Sequence, residues 1–145
     1  MRLNLDTSAL IKLYVEDPGS AQVEQAVTGA QTIATSMITY VETRAAFSRR
    51  RRDGSVTAVG YKNLVRDFDI DWQRYIVVEV SEILIRSAGK LAEVHGLRAY
   101  DAVHLASADF FQATLREAVT FVCWDDRLET VARRQGLNLL RSRLQ

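Results

Sequence analysis

The sequence predicts one α/β domain with a mainly parallel central sheet of about five strands, covered by helices on both faces. Short β-prone runs alternate along the chain with stretches whose apolar residues recur at helical spacing. The length of 145 residues, 48% of them hydrophobic, is enough for one core and too little for two ordinary domains. Each return to a parallel sheet needs a crossover, which the helical stretches supply. We therefore expect a single three-layer domain over residues 1–145.

The β-prone runs predict five strands. They are Arg2–Leu5, Thr32–Thr35, Tyr75–Val80, Thr120–Cys123 and Leu137–Leu140. The single proline lies outside them, in the turn Asp17-Pro18-Gly19, and the chain has no internal repeat and no Pro/Gly-rich linker. Nothing in the sequence marks a domain boundary.

Seven helices are predicted from the apolar periodicity. They are Ser8–Val15, Ser20–Val27, Ile38–Arg51, Ser55–Phe68, Ser81–His95, Tyr100–Phe111 and Asp126–Gln135. The third is followed by Asp53-Gly54 and the last by Gly136, and glycine at that position is a natural helix stop.

Composition limits the partners and the compartment. The formal charge of +1 comes from 19 basic and 18 acidic residues, so a nucleic-acid partner would have to be held by local patches. Cys123 is the single cysteine, which excludes an intrachain disulfide and a thiolate zinc cluster and favours a reducing compartment. No run approaches the roughly 18 apolar residues of a membrane span, and Asp6 interrupts the N-terminus before a signal-type apolar segment. We expect a soluble cytoplasmic protein that does not enter a membrane.

Four carboxylates are the strongest candidates for chemistry: Asp6, Glu42, Asp101 and Asp125. Asp6 and Asp125 follow predicted strands, and open α/β sheets place their sites beyond the carboxyl ends of the strands. Each acid also has a simpler interpretation. The three aspartates open helices and would serve as N-caps, and Glu42, inside a helix, would be an ordinary solvated position.

If the four acids converge, they need a counter-charge. Two like charges about 4 Å apart repel by roughly 4 kcal/mol at an effective dielectric constant near 20, so a cation or a shared proton must compensate. Oxygen ligands without His or Cys favour Mg²⁺, with Mn²⁺ as a substitute, over zinc. One or two such ions activate a water molecule for attack on a phosphodiester. This interpretation predicts a metal-dependent nuclease.

The same residues carry a resemblance to a known family. Leu5-Asp6-Thr7-Ser8-Ala9-Leu10-Ile11, the helical Glu42, Tyr100-Asp101-Ala102-Val103-His104-Leu105-Ala106, and Asp125 followed by Arg127-Leu128 and Gly136-Leu137 resemble a PIN domain over essentially the whole chain. Within that superfamily the length and spacing resemble VapC-type toxins of bacterial toxin–antitoxin pairs. The resemblance implies a Mg²⁺-dependent endoribonuclease that acts on RNA and is blocked by a cognate antitoxin. It also implies a homodimer, for which apolar positions on Ser55–Phe68 and Ser81–His95 would supply the contact face.

The resemblance also implies roles for individual residues. Asp6 and Asp101 would bind the metal, Glu42 would be a third acidic member and Asp125 would complete the site, with Ser8 assisting. The chain departs from the family at Cys123, where such toxins commonly have Thr or Ser two residues before the fourth acid. Asp126 adjoins Asp125, so the sequence leaves open which of the two faces the metal.

Three further residues have both a functional and a structural interpretation. Arg49 is about 700° of helix beyond Glu42, which puts both on one face within roughly 20°, so Arg49 is a candidate contact to an RNA phosphate. A solvated end of the helix is the simpler interpretation of the arginine run that contains it. His104 would be a packed, hydrogen-bonded histidine near the site, and Lys12 a surface lysine or, alternatively, a phosphate contact.

The competing function is a PIN-like domain that binds RNA or protein without cutting, its acids serving as caps. Substitution separates the two interpretations. A metal site predicts lost cleavage for Asp6→Asn or Asp101→Asn with the fold intact, whereas cap loss typically costs about 1 kcal/mol of stability.

Overall fold

A computed structural model describes residues 1–140, and its centre is one sheet of five parallel strands. The strands are β1 (Arg2–Leu5), β2 (Thr32–Ser36), β3 (Ile76–Val78), β4 (Thr120–Val122) and β5 (Asn138–Leu139). Their order across the sheet is β3-β2-β1-β4-β5, and every neighbouring pair is parallel. The predicted fold class is confirmed.

Helices connect the strands as the crossover argument requires. They are α1 (Thr7–Leu10), continued by a 3₁₀ turn (Ile11–Leu13), α2 (Ser20–Thr28), α3 (Ile38–Arg52), α4 (Ala58–Trp72), α5 (Glu82–His95), α6 (Ala99–Leu115) and α7 (Asp126–Arg134). Among residues 1–140, none of these helices has the length and apolar character needed to cross a membrane.

Both boundaries of α4 differ from the sequence prediction, and α6 ends at Leu115, four residues after its predicted end. α4 begins three residues later than expected, because the side chain of Thr57 caps it by accepting a hydrogen bond from the amide of Gly60 at 3.0 Å. α4 also continues to Trp72, whose ring meets the buried Phe68 edge-on with ring centroids 5.6 Å apart. Tertiary packing therefore extends this helix past the predicted end.

The hydrophobic core consists of two clusters. One includes Leu84, Leu105, Phe111, Phe121 and Leu128 and is built by α5, α6 and α7 against the sheet. The other is built by the helices from α1 to α4 and includes Leu3, Leu5, Leu10, Phe47 and Phe68. Helices thus cover the sheet on both faces, and burial of these side chains, worth about 1.5–3 kcal/mol each, holds the layers together.

The carboxyl end of β1 is the topological switch point of the sheet. Leu5 pairs with Thr35 of β2 on one side and with Val122 of β4 on the other. The chain leaves β1 and β2 toward one edge of the sheet, and β4 lies on the opposite side of β1. Crevices at such points are where open α/β sheets place their ligands, so the residues directly after β1 and β4 are positioned for a site.

Candidate metal centre

Asp6 follows β1 and caps α1. Its Oδ1 accepts hydrogen bonds from the amide of Ala9 at 2.9 Å and from Oγ of Ser8 at 2.7 Å. The residue is buried, and burial raises the pKa of its carboxyl group, although the charge of His104 and the Ser8 hydrogen bond act in the opposite direction. The negative charge of Asp101 raises the pKa of Asp6 as well. The cap interpretation of Asp6 is therefore confirmed, and the negative charge of a second acid, Asp101, also acts on its carboxylate.

Asp101 lies in the first turn of α6, and its cap interpretation is wrong. The N-cap of α6 is Arg98, three residues earlier, so no capping role accounts for the aspartate. Burial raises the pKa of Asp101, followed by the negative charge of Asp125, while His104 and Arg98 lower it. Asp101 therefore lies within electrostatic reach of acids from other segments of the chain.

Asp125 follows β4 and caps α7, its Oδ1 accepting a hydrogen bond from the amide of Leu128 at 2.8 Å. The charge of Asp125 is the second cause of the raised pKa of Asp101. This interaction with Asp101 favours Asp125 over Asp126 as the acid that faces the candidate metal site. Cys123 is buried, and its thiol lies 3.8 Å from the backbone oxygen of Asp125, a weak contact.

Glu42 is held by two other segments, so its interpretation as an ordinary solvated residue is wrong. Its Oε1 accepts a hydrogen bond from Oγ1 of Thr7 at 2.7 Å and lies 2.7 Å from Nε2 of His104. Partial burial raises the pKa of Glu42, but the hydrogen bonds from His104 and Thr7 outweigh it and leave the pKa lowered. His104 is 2% exposed, which confirms a packed, hydrogen-bonded histidine that also contacts the site.

The donor set fits a hard divalent cation in kind. The negative charge of Asp101 raises the pKa of Asp6, and the negative charges of Asp125 and Glu42 raise the pKa of Asp101. A cation would relieve this repulsion, and carboxylate oxygens suit a hard divalent ion. Across residues 1–140, no three His, Cys, Asp or Glu side chains are arranged as they stand to hold a metal ion. Glu42 is engaged by His104, and Asp6 and Asp125 each use one oxygen as a cap. Joint coordination would therefore require side-chain rotation.

The basic candidates lie beside these acids. Arg49 is exposed on the α3 face predicted to carry Glu42, and it lines a cleft that is also bordered by Ser8. Lys12 lines the same cleft and is only 8% exposed, so the interpretation as a surface lysine is wrong. Sequence reasoning missed Thr7, which bridges Glu42 and His104, although its position directly after Asp6 is a signal that would have drawn attention to it.

Comparison with known proteins agrees with this architecture. The PIN domain family model matches residues 4–134. Ribonuclease VapC45 of Mycobacterium tuberculosis (strain CDC 1551 / Oshkosh) is 32% identical over 139 residues, which cover 96% of this chain and 94% of the relative. The chain belongs to the PIN domain family, among relatives named Ribonuclease VapC.

Solved structures share the fold. The crystal structure of PAE2754 from Pyrobaculum aerophilum superposes with a TM-score of 0.67 at 20% identity, covering 99% of this chain and 87% of that one. VapBC2 from Rickettsia felis, bound to a DNA fragment from its promoter, gives a TM-score of 0.63 at 18% identity, with coverage of 96% and 97%. These likenesses support the three-layer α/β architecture.

Proposed function

We propose that this protein is a metal-dependent endoribonuclease and the toxin of a toxin–antitoxin pair. The observation that carries the proposal is that Asp6 and Asp125 follow the adjacent strands β1 and β4 at the switch point of a PIN domain, where the hydrogen bonds of Glu42 to Thr7 and His104 join α3 and α6 to the segment after β1. In addition, the charge of Asp101 raises the pKa of Asp6, and the charges of Asp125 and Glu42 raise the pKa of Asp101. The relatives named Ribonuclease VapC, 32% identical over nearly the whole chain, support RNA as the substrate.

Asp6, Glu42, Asp101 and Asp125 are the proposed ligands of Mg²⁺, with Mn²⁺ as a substitute. When bound, the cation supplies the charge that activates a water molecule and neutralises charge on the phosphate oxygens. The chain's own residues prepare that position. Ser8 fixes the carboxylate of Asp6, and Thr7 and His104 fix that of Glu42. Hydrogen bonds of this kind orient ligands and are typical of metal sites.

The proposed partners follow from the same comparisons. A toxin–antitoxin complex from Klebsiella pneumoniae has the same fold, which supports a cognate antitoxin as a partner of this chain. A homodimer is proposed through α4 and α5, where large apolar side chains such as Val59, Ile83 and Val94 are exposed. The single, buried free thiol of Cys123 is consistent with a reducing cytoplasm.

The alternative is a PIN-like module that binds RNA or protein without cutting. The caps formed by Asp6 and Asp125 favour it in part, because capping alone explains one hydrogen bond of each. Capping does not explain Asp101 or Glu42, which lie inside helices and interact with other acids.

Cleavage of total RNA by the purified chain tests the proposal. Asn is as good an N-cap as Asp, so Asp6→Asn keeps the bonds to Ala9 and Ser8 while removing the charge. We expect Mg²⁺-dependent fragments from the unaltered protein and a loss of about 100-fold or more for Asp6→Asn, the size typical for removal of one electrostatic group from an active site. EDTA should abolish the fragments too.

The two roles of Asp6 give opposite outcomes. If Asp6 is only a cap, Asp6→Asn should cleave RNA as fast as the unaltered protein, and Asp6→Ala should lose about 1 kcal/mol of stability. Absence of cleavage by the folded, unaltered protein in both Mg²⁺ and Mn²⁺ would favour the binding module.

A further inference from the structure

A cleft of about 610 Å³ lies beside the acidic site and has basic side chains in its walls. Ser8 and Trp124 form the end nearest the acids, since Ser8 donates to Asp6 and accepts a hydrogen bond from the backbone amide of Trp124 at 3.2 Å. Arg49 and Arg50 of α3 line the same cleft. The cleft therefore adjoins the proposed reaction centre through Ser8 and contains basic side chains of α3.

Helical spacing explains how α3 extends from the acidic site to the cleft. Arg49 is seven residues beyond Glu42, about 700° of helix, so it lies within roughly 20° of the face that carries the acid. Ala46 and Arg50 of α3 also line the cleft, and so do Ser8 and Lys12, which are four residues apart in the segment after β1. The cleft therefore combines cations from two segments that each contain a residue of the acidic site.

Lys12 is the most unusual member of the cleft because its side chain is only 9% exposed while its ion pair with Asp17 is long. A lysine this buried is usually paired closely. Its Nζ lies 3.6 Å from Oδ2 of Asp17, longer than a hydrogen bond, and 5.2 Å from the centre of the Trp124 ring. In the described part of the chain these contacts leave ammonium donors for a ligand.

Asp17 offers a carboxylate to two of the cations but binds neither closely. Its Oδ2 is 3.6 Å from Nζ of Lys12 and 3.8 Å from Nη2 of Arg50. The position of this oxygen is therefore one where a single negatively charged atom lies near both cations. The other acid of the cleft, Asp53, accepts hydrogen bonds from the amide and hydroxyl of Ser55, which lower its pKa, and the charges of Arg50 and Arg49 lower the pKa further. The arrangement suits an incoming anion that replaces or shares the weak contacts to Asp17.

We propose that this cleft binds a backbone phosphate of single-stranded RNA next to the bond that is cut, with Lys12, Arg49 and Arg50 as its contacts. The proposal rests on the proposed endoribonuclease function and specifies how its substrate is held. A phosphate at this place would fix the strand relative to the acids, and side chains that position a substrate contribute through orientation. Phosphate contacts of this kind carry no base specificity.

The test is the salt dependence of RNA binding, measured by fluorescence anisotropy with a short labelled single-stranded RNA. All proteins carry Asp6→Asn, which prevents cleavage during the measurement. Each phosphate contact contributes about 0.7 to the slope of log K against log[salt] for single strands. Lys12→Gln, Arg49→Gln and Arg50→Gln should each lower the slope by about that amount and weaken binding by about 2- to 5-fold, as for loss of one ion pair.

Matched controls lie on α5, which does not line the cleft. Lys90→Gln and Arg86→Gln, both exposed, should leave the slope unchanged. Asp17→Asn should have the opposite effect. Removal of the competing carboxylate should tighten RNA binding, whereas the same substitution should weaken binding if Asp17 only holds the cleft in shape. If Lys12→Gln does not fold, as judged by circular dichroism, Arg49→Gln, at an exposed position, still tests the change in the salt slope.

The outcomes separate this proposal from the one on which it rests. Unchanged slopes for the cleft variants, in a protein whose Asp6 form cleaves RNA, would overturn the phosphate site and leave the endoribonuclease intact. Weaker binding by Asp17→Asn would also overturn it. A folded protein that neither binds nor cleaves RNA would overturn both.

Discussion

Asp101 and Asp109 lie on the same helix, α6, and the pKa of each is raised, yet their surroundings differ. At Asp109 burial alone raises the pKa, to about 6, in a groove shared with apolar side chains of α5. At Asp101 burial is joined by the charges of Asp125 and Glu42, which come from other parts of the fold, and by that of His104, one turn later on α6. A perturbed pKa is therefore weak evidence for a site by itself, and charged neighbours from distant segments are stronger evidence.

The largest expected difference between the two aspartates is in cleavage. Asp101→Asn should reduce Mg²⁺-dependent RNA cleavage by about 100-fold or more, because it removes one of the proposed metal ligands. Asp109→Asn should leave the rate within about 2-fold, well below that electrostatic effect. Cleavage rates of both variants on one RNA substrate at saturating Mg²⁺ check these expectations. Equal losses in the two variants would show that Asp101 has no role in cleavage that Asp109 lacks.

A smaller difference is expected in metal-linked stability. A ligand at 100 times its Kd stabilises the folded state by about 2.7 kcal/mol. Saturating Mg²⁺ should therefore raise the Tm of the unaltered protein and of Asp109→Asn, and should raise that of Asp101→Asn much less. Thermal unfolding with and without EDTA measures this shift without relying on activity. A Tm increase of the same size in Asp101→Asn would place the metal away from that residue.

The smallest expected effect is the pH-dependent stability gain of Asp109→Asn. The carboxyl pKa is about 6 in the folded state against 3.8 for an ordinary Asp, so between those values the folded protein binds more protons and its unfolding free energy falls as pH rises. Above pH 6 the ionised carboxylate destabilises the protein, by about 1 kcal/mol after allowance for solvent screening.

Asn removes that ionisation. The variant should therefore be more stable than the unaltered protein at pH 7.5, and the gain should shrink through pH 4 and disappear near pH 3, where Asp109 is protonated in both the folded and the unfolded state. Urea unfolding at about pH 7.5 and about pH 3 measures the gain. A gain that persists near pH 3 would point to a cause other than ionisation.

The sequence predicted the strands and the acids at their ends because both depend on local pattern. Asp6 and Asp125 are caps at helix starts, as their positions next to β1 and β4 indicated. The five strands appear at the predicted places, although β3 and β5 are shorter than their β-prone runs. Alternation and turn signals are properties of neighbouring residues, and one sequence displays them directly.

Contacts between segments were not predictable in the same way. The hydrogen bonds that hold Glu42 join residues 35 and 62 positions away in the chain. The burial of Lys12 depends on Asp17 and on Trp124, which arrives only after β4. Helical periodicity predicts which residues share a face of a helix but not which helix that face contacts. The surface interpretation of Lys12 is wrong for this reason, and the burial of Asp109 was not predicted.

The position of β1 at the centre of the sheet has a consequence for synthesis on the ribosome. β1 is made first, but its neighbour β4 begins at Thr120, and the amide of Asp6 bonds to the carbonyl of Val122 only once that strand has emerged. Translation adds about 5–20 residues per second, so β1 waits several seconds or more for β4. A chain that ends prematurely before Asp125 lacks one of the four proposed metal ligands, so we expect that its release would not liberate the proposed nuclease activity.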